Sequence, residues 1–270
     1  MDGIFMNLHS WLGKMRRATH CELFRRTVQL GGHGPIVSFT FDDFPRSAYH
    51  VAGRILEDFG ARGTYYVAGG LMNVTNELGE LFSREDLFSA LKCGHELGSQ
   101  TFRHTSCRKS SLKDFSADVQ QGKQLIEEIV GHSATNFAYP YGHVTLRSKR
   151  ALGPQLSSSR SIIPGFNGPD VDLNLLRANR LYGDVDQLAK MADLIRQNAR
   201  HKSWLIFYTH DVRPNPSEYG CTPELFEAVV GLATQSASRL LTTQQVLQEL
   251  EPAARASSFC AVEDVVAFSE

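Results

Sequence analysis

The sequence predicts an α/β fold in which parallel strands are wrapped by helices, a barrel or a doubly wound sheet. Three observations carry that prediction. Apolar, β-branched runs recur, and each breaks into polar or turn residues; helical patterns alternate with them; and a chain of 270 residues with 42% hydrophobic content can bury one barrel-sized core. The first run, Ile36-Val-Ser-Phe-Thr-Phe41, ends at once in Asp42 and Asp43. Two adjacent carboxylates at the end of a buried strand are costly unless a cation or a proton-transfer task compensates their desolvation and repulsion. In α/β proteins reacting groups collect at the carboxyl ends of strands, where the loops leave a crevice. The competing reading is a solvated turn in which either aspartate caps the next helix.

The elements follow in order. Ala48, Val51, Ile55, Leu56 and Phe59 share one helical face, and the strand Thr64 to Ala68 then breaks at Gly69-Gly70. Ser83-Arg-Glu-Asp86 reads as a capping box for a helix that stops at Gly94. A short strand from His95 flows into a polar loop that ends at His104, and Ser111 to Val130 is helical before Gly131. Phe137-Ala-Tyr-Pro-Tyr-Gly142 is a strand breaking into a Pro/Gly turn, and Pro154 to Asp172, rich in Ser, Gly, Pro and Asn, reads as a long loop beside the site. Trp204 to Thr209 is an aromatic-rich strand that ends in His210 and Asp211. Thr222-Pro223 caps a helix from Leu225 to Leu232, and Thr243 to Leu250 is a last short helix.

The net charge of −1 gives no electrostatic bias toward nucleic acid. Five cysteines (21, 93, 107, 221 and 260) form no close Cys-x-x-Cys pair, which suits a reducing compartment without a disulfide framework. From Met1 to Thr27, Leu8, Trp11, Leu12 and Met15 are interleaved with Lys14, Arg16, Arg17, Arg25 and Arg26, so no uninterrupted apolar span exists there. The expected organisation is an amphipathic helical extension over 1–30, a catalytic domain over 31–250 and a tail over 251–270, in a cytoplasmic protein. The basic extension packs on the barrel or makes peripheral contact with an anionic membrane.

The strand-end residues resemble the motifs of the polysaccharide deacetylases, carbohydrate esterase family four, from about Ile36 to Leu250. Thr40-Phe41-Asp42-Asp43 is similar to the first motif, Gln100-Thr101-Phe102-Arg103-His104 to a His-Ser/Thr-x-x-His motif, Ala138-Tyr139-Pro140-Tyr141-Gly142 to Arg-x-Pro-Tyr-Gly, and Phe207-Tyr208-Thr209-His210 to Leu-x-x-His. The departures are Gln100 for a metal-binding histidine, Ala138 for the arginine that orients the base, Phe44 for a frequent glycine and Phe207 for a pocket leucine.

The resemblance implies a distorted (β/α)7 barrel that removes acetyl groups from an N- or O-acetylated sugar, an oligosaccharide or a lipid-linked sugar. Asp42 would be the base, His210 the acid and the Tyr141 backbone N–H an oxyanion donor. Asp43 and His104, with Gln100, would hold a divalent metal, zinc by preference or manganese, cobalt or nickel, bound weakly or not at all because an amide oxygen is a poorer donor than imidazole. Arg180 or Arg177, in Leu-Leu-Arg-Ala-Asn-Arg-Leu, is expected to supply the missing guanidinium, and Asp172 or Asp170 to orient His210. Phe44, Tyr139, Pro140, Phe207 and Asp172 are expected on the substrate side. Two alternatives stand beside the deacetylase: a metal-independent small-amide hydrolase similar to allantoinases, and a carbohydrate-binding pseudoenzyme.

Overall fold

The structure, a computed structural model, describes residues 22–250. The predicted N-terminal extension falls mostly outside that range, as does the tail after 250. The part that is described is not helical throughout, because Thr27–Gln29 forms a strand antiparallel to Asp170–Asp172.

The central sheet contains β1 (Ile36–Phe41), β2 (Thr64–Val67), β3 (Glu96–Ser99), β4 (Asn136–Ala138), β5 (Ser158–Arg160), β6 (Asn179–Arg180), β7 (Trp204–Thr209) and β8 (Arg239–Leu240). They are ordered β6-β7-β1-β2-β3-β4-β5, all parallel, with β8 pairing the first residues of β1. A bridge between Arg160 and Leu176 links β5 toward the segment that leads into β6. The outer layer is α1 (Arg54–Asp58, preceded by a π-helical turn over Ala48–Gly53), α2 (Arg84–Lys92), α3 (Leu112–Val130), α4 (Leu146–Leu152), α5 (Leu188–His201) and α6 (Pro223–Gln235). This is the curled parallel sheet of a distorted (β/α)7 barrel. Parallel strands covered on both faces lose the polar/apolar alternation of half-exposed strands, and β1 is buried at every residue.

The helix boundaries follow their caps. Ser83 Oγ accepts from the Asp86 N–H while Asp86 accepts from the Ser83 N–H, the reciprocal capping box that the sequence predicts. Thr222 caps α6 with Pro223 in its first turn, and α3 ends at Gly131 with φ of 84°.

Side-chain parity on the strands decides what the barrel offers. Phe39 and Phe41 point outward onto Phe226 of α6, at 5.4 and 5.7 Å between centroids. The alternate residues, Ser38, Thr40 and then Asp42, point the other way. There the lining is unusually polar: Trp204 Nε1 donates to Ser38 Oγ, and Glu96 accepts from Thr64, Asn136 and the Gln244 N–H. The last contact seats the N-terminus of the helix over 243–250 against Glu96, at the end of the strands opposite Asp42 and Asp43. Burial raises the Glu96 carboxyl above its ordinary range.

Candidate active site

Asp42 and Asp43 leave β1 in different directions. The Asp42 N–H still donates to the Thr209 carbonyl, which continues the β1–β7 ladder by one residue. Asp43 then turns left-handed at φ of 60° and Phe44 follows at 49°. Thr101, His104 and Tyr141 are also left-handed, at 66°, 54° and 59°. Such conformations cost of order 1–3 kcal/mol each and persist only where the surroundings over-determine them. Here α3 supplies part of that restraint: Asp118 accepts from the N–H groups of Phe102, through its carbonyl, and Arg103, through its carboxylate. Gly122 lets α3 come this close, because a Cβ there would lie 2.6 Å from the Thr101 backbone.

Asp42 is 4% exposed and is held by a buried guanidinium from Arg160. Arg160 also donates to the Ser161 carbonyl and lies between two tyrosine rings, 4.9 Å from the Tyr66 centroid and 5.2 Å from that of Tyr208. Burial alone would lower the Arg160 pKa, and Asp42 beside it reverses the sign, so the group stays charged. The expectation of Arg180 is thereby corrected. Arg180 is exposed on the edge strand β6, whereas Arg160 is the register partner of Ala138 on the neighbouring strand. The small side chain at 138 leaves the space that an arginine crosses from β5.

Asp43 lies between two imidazoles, with Oδ1 3.2 Å from His104 Nε2 and Oδ2 4.0 Å from His210 Nε2. No donor is aligned on its buried Oδ1. Burial pushes its carboxyl up to about 6, partly offset by His210, and burial lowers His104, which keeps that imidazole neutral with a lone pair to offer. Gln100 is fixed by its neighbours: the Asp43 N–H donates to Oε1 at 3.2 Å, which directs the amide nitrogen to His104 Nε2 at 3.3 Å. An uncompensated carboxylate oxygen beside a neutral imidazole fits a divalent cation, and Asp43 and His104 are the two side chains that would hold it. Gln100 is near but presents its amide N–H, so its oxygen could serve as a third donor only by giving up the Asp43 N–H. Catalytic zinc sites usually have three protein ligands.

His210 sits on the end of β7. Its N–H and its Nδ1–H both face the Tyr219 carbonyl, at 3.1 and 3.2 Å, which places Nε2 toward Asp43. Thus a backbone carbonyl takes the orienting role expected of Asp172 or Asp170. Asp172 instead pairs with Lys149 at 2.6 Å and caps the Arg26 N–H, and Asp170 pairs with Gln29. Tyr141 is 58% exposed, with its ring 4.5 Å from that of His104.

Three other expected substrate residues are core residues. Phe207 registers with Phe39, stacks on it at 5.8 Å and faces the helices, because its parity is that of Phe39 rather than of Thr40. Phe44 is fully buried against Tyr65 and Phe82, at 4.6 and 5.5 Å; the φ of 49° explains the family's preference for glycine, and this packing offsets the strain. Tyr139 is 2% exposed and packs edge-on against Phe137. Pro140, also buried, shapes the turn that carries Tyr141. The sequence reading did not find Arg160, Tyr66, Tyr182 or Tyr219. A cavity of about 670 Å³ lined by Tyr49, His50, Arg54, Glu57, Asp58, Ser89 and Cys93 contains none of the motif residues. Among the described residues no helix is long and apolar enough to cross a membrane.

Paired aspartates at the end of one strand, a histidine-bearing loop after another and a histidine after a third thus meet at one end of the barrel. Residues 31–153 match the family model of the polysaccharide deacetylases. It is 27% identical over 122 residues to the peptidoglycan-N-acetylmuramic acid deacetylase PdaC of Bacillus subtilis, a match over 43% of this chain and 24% of that protein. The chain thus spans about a quarter of the length of that relative. In fold it is similar to a point variant of the PdaC structure, with a TM-score of 0.52 at 17% identity, covering 85% of this chain and 98% of that one. It is equally similar, at 0.52 and 17% identity, to the Xyl-CE4 domain of a multidomain xylanase from the hindgut metagenome of Trinervitermes trinervoides, covering 80% and 91%.

Proposed function

We propose that this protein hydrolyses acetyl groups from an N- or O-acetylated sugar or oligosaccharide, with Asp42 as general base and His210 as general acid. The observation that carries the reading is the buried Asp42–Arg160 pair. A pure binding module has no use for a carboxylate paired with a buried guanidinium and oriented inside a barrel, next to a tautomer-fixed histidine.

Water attacking the acetyl carbonyl must lose a proton, and Asp42 accepts it; general bases contribute roughly 10²–10⁴-fold. Arg160 fixes the carboxylate, which matters because errors of about 1 Å can cost about 10²-fold. The developing oxyanion takes the Tyr141 backbone N–H, the donor that the family resemblance implies. A divalent cation at Asp43 and His104, zinc or a harder ion, supplies electrophilic polarisation of the carbonyl when bound. His210 Nε2 then delivers a proton to the departing amine or alkoxide.

A second reading, a carbohydrate-binding pseudoenzyme, is favoured by one observation: the Gln100 amide nitrogen points at the lone pair of His104 that a metal needs. Acetate release from acetylated chitooligosaccharides, with and without added divalent metal, separates the readings. Release that rises with metal and stops with chelator supports the deacetylase. Release indifferent to chelator indicates a metal-independent amide hydrolase, and oligosaccharide binding without release indicates the pseudoenzyme.

A further inference from the structure

We propose that Tyr219, backed by Tyr182, is the stacking face for the sugar ring that carries the acetyl group, and so selects saccharides over small acetyl compounds. The inference rests on the deacetylase reading for the placement of the leaving group. His210 gives its proton to the heteroatom that joins acetyl to sugar, and that atom is bonded directly to the sugar or its side arm. With about 3 Å between proton donor and acceptor, the sugar must lie beside His210 on the side away from the acyl carbon.

What stands beside His210 is aromatic. The Tyr219 ring is 5.6 Å from the His210 ring and 41% exposed, and Tyr182 lies 6.1 Å from His210 and 6.3 Å from Tyr219. Tyr182 packs edge-on against Tyr208 at 5.5 Å, whose ring also covers Arg160. The site therefore runs Tyr141, His104, Asp43, His210, Tyr219, with an exposed tyrosine at each end. Tyr141 stands at the acyl and metal end, and Tyr219 at the leaving-group end. The face of a pyranose is a row of C–H bonds that suits the negative face of an aromatic ring and buries apolar area on it.

The loop is built to hold this ring in place. Asp211, fully buried, accepts from the Ser217 N–H at 2.8 Å and Oγ at 2.5 Å, and pairs with Arg213 at 2.7 Å. Gly220 passes so close that a Cβ would collide with the Asp211 carbonyl and carboxylate. Since the Tyr219 carbonyl also receives both His210 donors, acid and platform form one pre-ordered unit, which lowers the entropic cost of binding.

The test compares an acetylated chitooligosaccharide of three sugars with an aryl acetate that carries no sugar, on wild type, Tyr219→Ala and Tyr219→Phe. The expected result is a KM for the oligosaccharide raised about tenfold in Tyr219→Ala, a ratio of saccharide to aryl-acetate kcat/KM that falls about tenfold, and recovery of both by Tyr219→Phe. Equal losses on both substrates would mean that Tyr219 merely props His210, and no change on either would mean that it touches nothing; each overturns the proposal. If wild type releases no acetate from any sugar, the deacetylase reading fails by itself, and calorimetry with the same oligosaccharide decides the platform. Weaker binding by Tyr219→Ala than by wild type sustains it, whereas equal or absent binding ends it.

Discussion

Asp42 and Asp43 are neighbours in the chain and opposites in the fold. Asp42 is compensated: a buried arginine, itself clamped between Tyr66 and Tyr208, answers its charge. Asp43 is not: its Oδ1 has no aligned donor, its nearest partner His104 is an imidazole kept neutral by burial, and its carboxyl is pushed up to about 6. A group that must take a proton at a defined angle needs a rigid, satisfied site. A group that must receive a cation needs an unsatisfied one. The difference lies in what the neighbouring strands contribute, an arginine from β5 for one and a glutamine from the end of β3 for the other.

The largest expected effect breaks the compensated half. Asp42→Asn should lower acetate release by about 10²–10⁴-fold, the usual worth of a general base, while zinc binding measured by calorimetry stays near the wild-type value. Retained turnover on a substrate that wild type cleaves would remove Asp42 from the role of base.

Arg160→Met strikes the same half from the other side. Removing one partner of a buried ion pair typically costs about 3–5 kcal/mol, so thermal unfolding should come many degrees lower, and turnover should drop about 10²-fold through loss of orientation. Arg180→Ala is the control, exposed and expected within about 0.5 kcal/mol of wild type. A larger loss of turnover from the Arg180 change than from the Arg160 change would restore the expectation drawn from sequence.

Asp43→Asn sharpens the contrast because its effect on stability should have the opposite sign. A carboxyl that titrates near 3.8 unfolded and about 6 folded binds more protons in the native state between those values. Its stabilising contribution is therefore full at low pH and is lost as pH rises through about 6, an order-of-magnitude cost of about 3 kcal/mol at neutral pH. In metal-free buffer wild type should lose stability between pH 4 and pH 7, and Asp43→Asn should flatten that slope and raise the melting temperature at pH 7. A parallel pH profile in the two proteins would show that Asp43 has a partner that compensates it.

Much of this contrast is legible in the sequence. The strong strand signal of 36–41 placed both aspartates at a strand end, and Trp204 to Thr209 placed His210 at another. Arg160 was hidden because Ser158–Arg160 is a short strand whose inward face is polar, so it reads as part of a serine-rich loop. Leu-Leu-Arg-Ala-Asn-Arg-Leu has far more of a strand pattern, which favours Arg180. Phe207 and Phe44 failed as pocket residues for a related reason: motif membership does not reveal parity, and one step along a strand exchanges the barrel interior for the helical layer. Tyr219 lies in a loop whose path depends on Asp211 and Gly220, contacts that no local pattern announces.

The smallest change in chemistry, Gln100→His, tests the uncompensated half most directly. At present the glutamine satisfies the Asp43 N–H with its oxygen and turns its nitrogen to His104, a local arrangement that competes with a cation for the His104 lone pair. Histidine at 100 removes that competing donor and adds an imidazole to Asp43 and His104, which completes a three-ligand set without a change in formal charge. Zinc affinity by calorimetry should rise by more than the roughly 10–100-fold that outer-sphere partners contribute, and acetate release should rise with it. Tighter metal with no gain in acetate release from any acetylated sugar would separate the two halves for good: the metal subsite would be repaired, and the failure would have to lie with Asp42, Arg160 or His210.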